Sequence, residues 1–530
     1  MKTQGWVFAI GFALFAAGSA LIALRTQAVP LLALPAAAPS EGAVKPNARQ
    51  WASWIALAAC PSWMLLAVTN HLCQEIAAVP FLWVLPLAIY LLSFILCFES
   101  DRWYRRGLFM PALGVLSAMG LLLLFGEPSE TLAEPLVIYG LLLFTCGMVC
   151  HGELARMRPA STHLTSFYLA VSLGGAVGGV LVAVAAPLAF DRYLELDLGI
   201  LATWLLAMGV AERDRARATP RRTLTLARVA SAFVLLMLSG EVVAHLRLPE
   251  QGLVTHLRSF YGVLRVKASK DPSGSTVHHL RHGRVVHGYQ FCDGPLRTEP
   301  VAYYTRNSAI GRTLANHPRR EVEHQPLRVG VIGLGIGVLA AHAEVGDEYR
   351  FYEINPDVVR LARDPQLFTY LADSRARVEV VSGDARLALE RELASGGSQR
   401  FDVFVVDAFS SDSIPAHLLT RQAFEVYLAH LRDQDSALAI HISNRVLDLG
   451  PVVYRIAEEL GLEVAELFTQ ERHPGKEEVE LPAHWMVVSR SKTLFEKPAF
   501  QGYTRIRRSP TSTRLWTDDY TNVLGALGAF

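Results

Sequence analysis

The first half of the chain alternates long apolar runs with short polar connections. Apolar runs of about 20 residues are long enough to cross a bilayer as a helix. The candidate spans lie at about 5–24, 51–70, 79–98, 108–126, 134–151, 163–189 and 195–211, with an eighth at 229–246. The eighth candidate has a shorter apolar core than the others. The pattern therefore predicts a helical membrane domain of seven or eight spans over residues 1–246.

The charges between the runs bear on the orientation of this domain. The connections "ESDRWYRR", "HGELARMRP" and "ERDRARATPRR" are basic and alternate with acidic or neutral ones such as "GEPSETLAE". Basic connections preferentially face the cytoplasm. If 229–246 lies in the interface, the second half of the chain is cytoplasmic, and if it spans, that half lies outside. The sequence leaves both alternatives open, and a cytoplasmic second half is the working expectation.

Within the spans, "SLGGAVGGV" repeats glycine at four-residue spacing. Small residues at this spacing let two helix backbones approach closely. We therefore expect a tight helix contact at Gly174, Gly175, Gly178 and Gly179.

The second half shows a different period, in which apolar strands alternate with amphipathic helices. "RVGVIG", "YRFYEI", "VEVVSGD", "FDVFVVDAF" and "ALAIHIS" are typical of buried strands, and "VLAAHAEV", "PDVVRLAR", "TRQAFEVYLAHL" and "GPVVYRIAEEL" are typical of helices. "VAELF" and "HWMVVSR" are expected to close the sheet as a terminal pair. This alternation predicts an α/β doubly wound, Rossmann-like sheet that is mostly parallel and covered on both faces.

Acidic residues and glycines stand where these predicted strands end. Ligands bind at the carboxyl ends of parallel strands, near the point where the strand order reverses. Glu353 ends the second strand, Asp384 follows the third and Asp407 the fourth. The first strand runs into three glycines at alternate positions, Gly333, Gly335 and Gly337. These residues predict a nucleotide-type site, although the acids could instead cap the following helices.

Composition and charge narrow the function. The formal net charge is +1, and no long basic run suggests a nucleic-acid partner. The cysteines lie mostly in or beside the apolar runs, without metal-type spacing to histidines. We expect no metal site.

Several segments together resemble the spermidine synthase family, aminopropyltransferases with the class I methyltransferase fold. They are "RSFYGVLRV", "HGYQ", "YEINP", "DAFSSDSIPAHLLT", "HISNR" and "WTDDYTN", in this order. The resemblance covers roughly Ser259 to Arg490 and is strongest to bacterial proteins that fuse a membrane domain to such a domain. It implies a small antiparallel β subdomain at 255–298, a Rossmann domain at 299–495 and a tail at 496–530.

The resemblance also implies roles for single residues. The three glycines approach the methionine-derived part of an adenosyl sulfonium donor, Glu353 holds its ribose and Asp384 its adenine amine. Asp407 matches the catalytic aspartate, and Asp412 approximates a second, amine-binding acid. Gln290 is the candidate for a glutamine of the nucleotide pocket. Tyr303 and Tyr304 fall where the family has a tyrosine that faces the active site, although a buried aromatic pair on a helix is an equal alternative.

One position departs from the family pattern. The glycine loop of the family carries an aspartate that pairs with the aminopropyl ammonium, and here that position is Ile336. Aminopropyl transfer from decarboxylated S-adenosylmethionine to a polyamine or other small amine remains the expectation. The alternatives are a methyltransferase that uses intact S-adenosylmethionine and a membrane transporter or sensor. We expect no permanently bound cofactor, a bilayer partner, a possible homodimer and a multi-pass location in the bacterial inner membrane.

Overall fold

The computed structural model of the chain describes most of the sequence. The described residues are 45–76, 82–125, 133–215, 251–283, 285–408, 415–444, 447–469, 479–501 and 513–526, with scattered positions between 236 and 243. The predicted span at 5–24 lies outside these residues, and so does most of the candidate at 229–246.

The described part of the first half is helical. The helices are α1 (Ala48–Asn70), α2 (Val84–Glu99), α3 (Arg106–Phe125), α4 (Ala133–Arg156), α5 (Leu164–Val180) and α6 (Glu195–Arg215). Two of them continue as π-helical turns, α1 over His71–Ile76 and α5 over Leu181–Ala185.

Fewer helices have the length and composition of a span than the sequence pattern predicts. Within the described residues, four stretches are long and apolar enough: Ala48–Cys73, Arg106–Leu123, Ala133–Arg156 and Ser161–Ala189. The apolar helix Val84–Glu99 is shorter. The predicted span at 195–211 forms α6, which is not among the four. It carries Glu195 and Asp197 in its first turn and ends on charged residues, which lowers its hydropathy.

The contact predicted from the glycine spacing is confirmed at Gly174 and Gly178, whereas a Cβ atom added to Gly175 would meet nothing within 4 Å and one added to Gly179 only Leu66 at 3.9 Å. A Cβ atom added to Gly174 would lie 2.4 Å from the Ile55 carbonyl oxygen, and one added to Gly178 would lie 2.1 Å from that of Ala59. Helix α5 therefore packs on α1 backbone to backbone, at a distance that larger side chains would prevent.

A four-stranded antiparallel sheet follows the helices. Its strands are β1 (Leu253–Ser259), β2 (Gly262–Lys270), β3 (Thr276–His282) and β4 (Val285–Phe291), in the order β1-β2-β3-β4. The pairing of β3 with β4 shifts register between Leu280 and Arg281, so that β4 has one extra residue there. This bulge changes which side chains of β4 reach the neighbouring domain.

The remainder forms a seven-stranded mixed sheet with helices on both faces. The strands are β5 (Arg328–Ile332), β6 (Glu348–Glu353), β7 (Arg377–Ser382), β8 (Val403–Val406), β9 (Ala437–His441), β10 (Glu463–Thr469) and β11 (Ala483–Ser489). The helices are α7 (Ala309–Ala315), α8 (Pro318–Glu321), α9 (Pro356–Arg363), α10 (Tyr370–Asp373), α11 (Ala385–Ala394), α12 (Arg421–Ala429) and α13 (Gly450–Glu459). The strand order is β10-β11-β9-β8-β5-β6-β7.

This topology confirms the predicted doubly wound, Rossmann-like sheet. Strands β5 to β9 are parallel, and β11 and β10 form the antiparallel terminal pair. From β5 the chain continues through β6 to β7 at one edge of the sheet, and it then crosses to β8 on the other side of β5. The strand order therefore reverses between β5 and β8. The reversal opens a crevice at the carboxyl ends of these two strands.

The continuous apolar runs of the central strands follow from burial on both faces. On β8, Val403 and Val405 join one hydrophobic cluster, whereas Phe404 and Val406 join the other. All four are fully buried. One cluster includes residues of β2 and β3, which attaches the small sheet to the large one.

The segment predicted as a helix after the glycine loop is shorter than expected. It forms one 3₁₀ segment, Val338–His342. Asp347 explains why it ends, because its carboxylate accepts the backbone N–H groups of Glu344 at 2.9 Å and of Leu327 at 2.8 Å. These bonds turn the chain directly into β6.

The small sheet is also bound to the helical half. Arg258 of β1 pairs with Glu195 at the start of α6, and both side chains are buried. The guanidinium also donates to the Arg192 carbonyl at 2.6 Å and lies over the Tyr193 ring. Since β1 pairs with β2, which contributes to the cavity described below, the helical half contacts the site through one strand.

Candidate active site

A cavity lies at the carboxyl ends of β5, β6, β7, β8 and β9, under the small sheet. It contains most of the residues that the sequence pattern predicts. Those that line it are Gly333, Gly335, Glu353, Asp384, Asp407, Tyr303 and Tyr304. Residues from five strand ends and from the small sheet therefore face one space.

Gly333 brings two of these strand ends together. It has a φ of +93°, and a Cβ atom there would lie 2.3 Å from the carbonyl oxygen of Asp407. Its own N–H donates to the Tyr352 carbonyl at 2.9 Å. Only glycine satisfies both the left-handed conformation and this close approach. The backbone of the loop is consequently bare where it meets the cavity.

Glu353 is held in place by two backbone N–H groups. Its Oε2 accepts from Leu334 at 3.0 Å and its Oε1 from Asn355 at 2.8 Å. Each oxygen retains a lone pair. Burial raises the pKa of this carboxyl group, and the backbone bonds partly offset the rise. A carboxylate in this position is suited to accept hydrogen bonds from the two hydroxyls of a ribose.

The raised pKa gives a testable pH dependence. We predict that the carboxylate form accepts the hydroxyls of a bound ribose, and a raised pKa means that this form is lost at a higher pH than for an ordinary glutamate. We expect the affinity for methylthioadenosine, measured by calorimetry, to fall as the pH drops through this range. Glu353→Gln should bind about tenfold more weakly at neutral pH, the loss expected for a charged hydrogen bond. Its profile should be flatter. Parallel profiles for the two proteins would contradict the role of Glu353.

Asp384 combines the two roles that the sequence leaves open. It is the N-cap of α11, where its Oδ1 accepts the Leu387 N–H at 2.8 Å. Its Oδ2 lies 3.4 Å from Nε2 of His417, and both residues line the cavity. Capping fixes the carboxylate but leaves acceptor capacity on the side of the cavity.

Asp407 is the most strongly constrained acid of the site. Tyr304 donates its hydroxyl to Oδ2 at 2.6 Å, and Nδ1 of His441 lies 2.7 Å from Oδ1. Burial and the neighbouring Asp407 charge raise the pKa of Tyr304 well above its usual value, so the phenol remains a donor. The two tyrosines are not on a helix, since residues 303 and 304 lie in a turn before α7. Two donors thus fix the orientation of one carboxylate.

His441 extends this network beyond the predicted residues. Its Nε2 lies 2.7 Å from the Ser443 hydroxyl, which accepts the His484 N–H at 2.8 Å. Its ring stacks on Trp485 with centroids 4.4 Å apart. The motif "HISNR" contains the signal for this residue, because its histidine ends a strand that borders β8. Sequence reasoning used the motif only as a family marker.

The prediction that Gln290 enters the pocket is wrong. Its amide nitrogen donates to the Arg297 carbonyl and to the Thr369 hydroxyl, both at 2.8 Å, and its oxygen accepts the Thr369 N–H. Gln290 does not line the cavity, whereas His287 does. Gln290 does face the large domain, but it meets Thr369 there, and His287 is the extra residue of the bulge between β3 and β4.

One other predicted residue, Gly337, lies outside the cavity lining, and another, Asp412, lies outside the described residues. Gly337 packs against Leu371, which a Cβ atom would approach to 2.5 Å. It begins the 3₁₀ segment in the left-handed conformation and is not a lining residue. Asp518 binds Arg386 and Thr420, which fastens the C-terminal segment to α11 and α12. Asp412 is not described by the structure.

Comparisons with known proteins identify one sequence relative. The chain is 37% identical over 101 residues to a polyamine aminopropyltransferase of Vibrio vulnificus (strain CMCP6). The match covers 18% of this chain and 32% of that protein, so the chain spans about a third of the relative. No family model matches the sequence.

Solved structures with similar coordinates include two spermidine synthases. One is a probable spermidine synthase from Corynebacterium glutamicum ATCC 13032, with a TM-score of 0.32 and 16% identity over 46% of this chain and 80% of that one. The other is spermidine synthase from Thermotoga maritima, with a TM-score of 0.31 and 17% identity over 52% of this chain and 84% of that one. The chain is thus similar to a polyamine aminopropyltransferase over 101 residues, 18% of its length.

Proposed function

We propose that the protein is a membrane-anchored aminopropyltransferase. It would transfer the aminopropyl group of decarboxylated S-adenosylmethionine to a polyamine or another small amine. The observation that carries this proposal is the convergence of Glu353, Asp384 and Asp407 on one cavity beside a bare glycine loop. Two of the acids suit the ribose and the adenine of the donor, and the third is left for the reacting end.

Asp407 is the proposed catalytic residue. An amine is protonated at neutral pH, because its pKa lies near that of lysine, about 10.4. A carboxylate attracts the ammonium, orients it and accepts its proton as the nitrogen attacks. A nitrogen–carbon bond forms, the carbon–sulfur bond breaks, and the sulfur leaves with the electron pair as neutral methylthioadenosine. Alignment of nitrogen, carbon and sulfur in the closed cavity supplies much of the acceleration.

Tyr304 and His441 would position Asp407 for this step. Both lie within hydrogen-bond distance of it, one at each carboxylate oxygen, which leaves the carboxylate one preferred rotamer. The pair therefore fixes the direction in which the carboxylate faces the acceptor amine.

We expect His441→Ala to lower kcat by about tenfold or more, with little change in the donor KM, because one charge-assisted hydrogen bond is lost. His441→Asn places an amide nitrogen near the former Nδ1 position and should restore part of kcat. His441→Gln extends towards Ser443 instead and should restore less. Equal kcat values for the asparagine and alanine variants would contradict the positioning role.

The exposed faces of the helices support membrane anchoring. Large apolar side chains on α2, α3 and α5 are exposed, for example Ile95 at 60%, Leu122 at 73% and Leu169 at 62%. Soluble proteins seldom expose many such side chains in contiguous patches. Lipid around these helices would cover the exposed apolar surface. A multi-pass location in a bacterial inner membrane, with the catalytic half in the cytoplasm, is part of the proposal.

A methyltransferase is the second candidate, and Ile336 is the observation that favours it. This side chain is fully buried and apolar at the loop position where an acid was expected. Without that acid the loop itself offers no charge to an aminopropyl ammonium. Intact S-adenosylmethionine would then be the donor.

One assay separates the two candidates. The purified full chain, in detergent micelles, is incubated with each sulfonium donor and a panel of mono-, di- and triamines, and the products are identified by mass spectrometry. We expect methylthioadenosine together with an amine that is heavier by one aminopropyl unit. An amine heavier by one methyl group, formed only with the intact donor, would establish the second candidate and reject the first.

A further inference from the structure

Two histidines of the small sheet face the cavity, each with a buried Nε2 atom that has no hydrogen-bond partner among the described residues. His282 ends β3 and His287 lies in the bulge of β4, with ring centroids 5.7 Å apart. Both line the cavity. Among the described residues, neither Nε2 atom has a hydrogen-bond partner, although both are buried. Buried polar atoms are normally satisfied, so these two indicate a polar group supplied by a ligand.

The position of His287 places the pair over the glycine loop. A Cβ atom on Gly335 would lie 2.9 Å from the His287 carbonyl oxygen. The next residue, Gly288, has a φ of +145°, and a Cβ atom there would lie 2.8 Å from Cγ1 of Ile336. The strand that carries His287 thus lies directly on the loop, against the side chain that replaces the expected acid.

Burial favours the neutral form of both rings. Burial lowers the pKa of His287 to about 3, and the neighbouring His282 contributes to the effect. Burial also lowers the pKa of His282, opposed by a hydrogen bond to the Tyr261 backbone. A backbone hydrogen bond favours charged histidine only when the ring donates to a carbonyl. In this bond the His282 ring is therefore the donor. With its proton on that nitrogen, the neutral ring keeps an acceptor at Nε2.

We propose that His282 and His287 form the subsite for the aminopropyl ammonium of the donor, in place of an acid in the glycine loop. This inference rests on the proposed function and specifies its donor. An ammonium group has three N–H donors and can satisfy both acceptor nitrogens. A carboxylate has no proton to give them and would require an imidazolium, which burial disfavours. The pair therefore selects decarboxylated S-adenosylmethionine over the intact form.

The test compares three ligands by calorimetry on the full chain. Methylthioadenosine lacks the aminopropyl group, decarboxylated S-adenosylmethionine carries the ammonium, and S-adenosylmethionine carries a carboxylate as well. We expect the wild-type protein to bind the decarboxylated donor most tightly. His282→Leu and His287→Leu should each weaken it by about tenfold or more, the range for a hydrogen bond to a charged group. Methylthioadenosine should change by less than about twofold on the same grounds.

Two further variants keep the test specific. His287→Gln retains an acceptor oxygen and should keep part of the donor affinity. His279 lies on β3, as His282 does, but it bonds Ser269 and does not line the cavity. The His279→Leu variant should therefore bind all three ligands as the wild type does. Retained methylthioadenosine binding reports that each variant is folded.

The inference is overturned if the leucine variants weaken methylthioadenosine and the decarboxylated donor equally, or if they bind all three ligands unchanged. It is also overturned if the wild type binds intact S-adenosylmethionine as tightly as the decarboxylated form. Binding that depends on the histidines, but without any aminopropylated product, would instead reject the proposed function and leave the subsite in place.

Discussion

Asp407→Asn is expected to lower aminopropyl transfer by about a thousandfold, within the range of roughly 10²–10⁴ found for a general base. The amide cannot take the proton of the acceptor and does not attract its charge. Steady-state release of methylthioadenosine measures the effect. The affinity for methylthioadenosine itself should change little, because Glu353 and Asp384, the residues proposed to bind the nucleoside, lie at the ends of other strands.

Asp407→Glu is the matched comparison for this variant. It retains the charge but moves the carboxylate away from the positions that Tyr304 and His441 define. We expect its activity to lie between those of the wild type and the asparagine variant. Wild-type turnover by Asp407→Asn would exclude Asp407 as the base and remove the main support for the proposed reaction.

Gly333→Ala is expected to have the second large effect, on both folding and donor binding. A methyl group would meet the Asp407 carbonyl at 2.3 Å, so β5 and β8 must separate at the proposed donor site. The left-handed backbone adds about 1–2 kcal/mol for any residue with a Cβ atom. Thermal unfolding and methylthioadenosine calorimetry measure the two consequences. We expect a lower melting temperature and no measurable nucleoside binding.

Gly274→Ala separates strain from steric overlap. Gly274 has a similar φ of +88° in the turn between β2 and β3, but a Cβ atom added there would have no neighbouring atom within 4 Å. This variant should lose only about 1 kcal/mol of stability and keep its donor affinity. If both alanine variants bind methylthioadenosine equally well, the close contact between the two strand ends has no role in the site.

The acids of the site could be predicted because parallel strands share one edge of a sheet. Glu353, Asp384 and Asp407 each follow an apolar strand, and no knowledge of strand order was needed to expect them at the same edge. It was harder to predict that one acid can cap a helix and also line the cavity. Asp384 both caps α11 and faces the cavity, although the sequence pattern presents these two roles as alternatives.

The errors arose where side-chain direction depends on long-range pairing. On β4, Gln290 bonds Thr369, and His287, the extra residue of the bulge, lines the cavity instead. His441 meets Asp407 only because β9 lies beside β8, an adjacency that the chain order does not reveal. Asp518 contacts Arg386, a residue far away in the sequence. None of these contacts leaves a local pattern.

The sequence pattern correctly predicted that the first half of the chain is helical, but it predicted more membrane spans than the described residues contain. Hydropathy identified the runs that form α1, α3, α4 and α5, and the glycine spacing identified their closest contact. It also counted α6 as a span, because its apolar centre outweighed the acids of its first turn. Glu195 of that turn pairs with Arg258 of the small sheet, so part of the polar character of α6 serves the junction between the two halves.

A structure of the full chain with methylthioadenosine and a diamine bound would test the central claim most directly. We predict that the ribose hydroxyls lie within hydrogen-bond distance of Glu353 and that the adenine amine lies at Asp384. The attacking nitrogen of the diamine should lie at Asp407, opposite the sulfur. A nucleoside bound elsewhere, or a diamine nitrogen that does not contact Asp407, would contradict it.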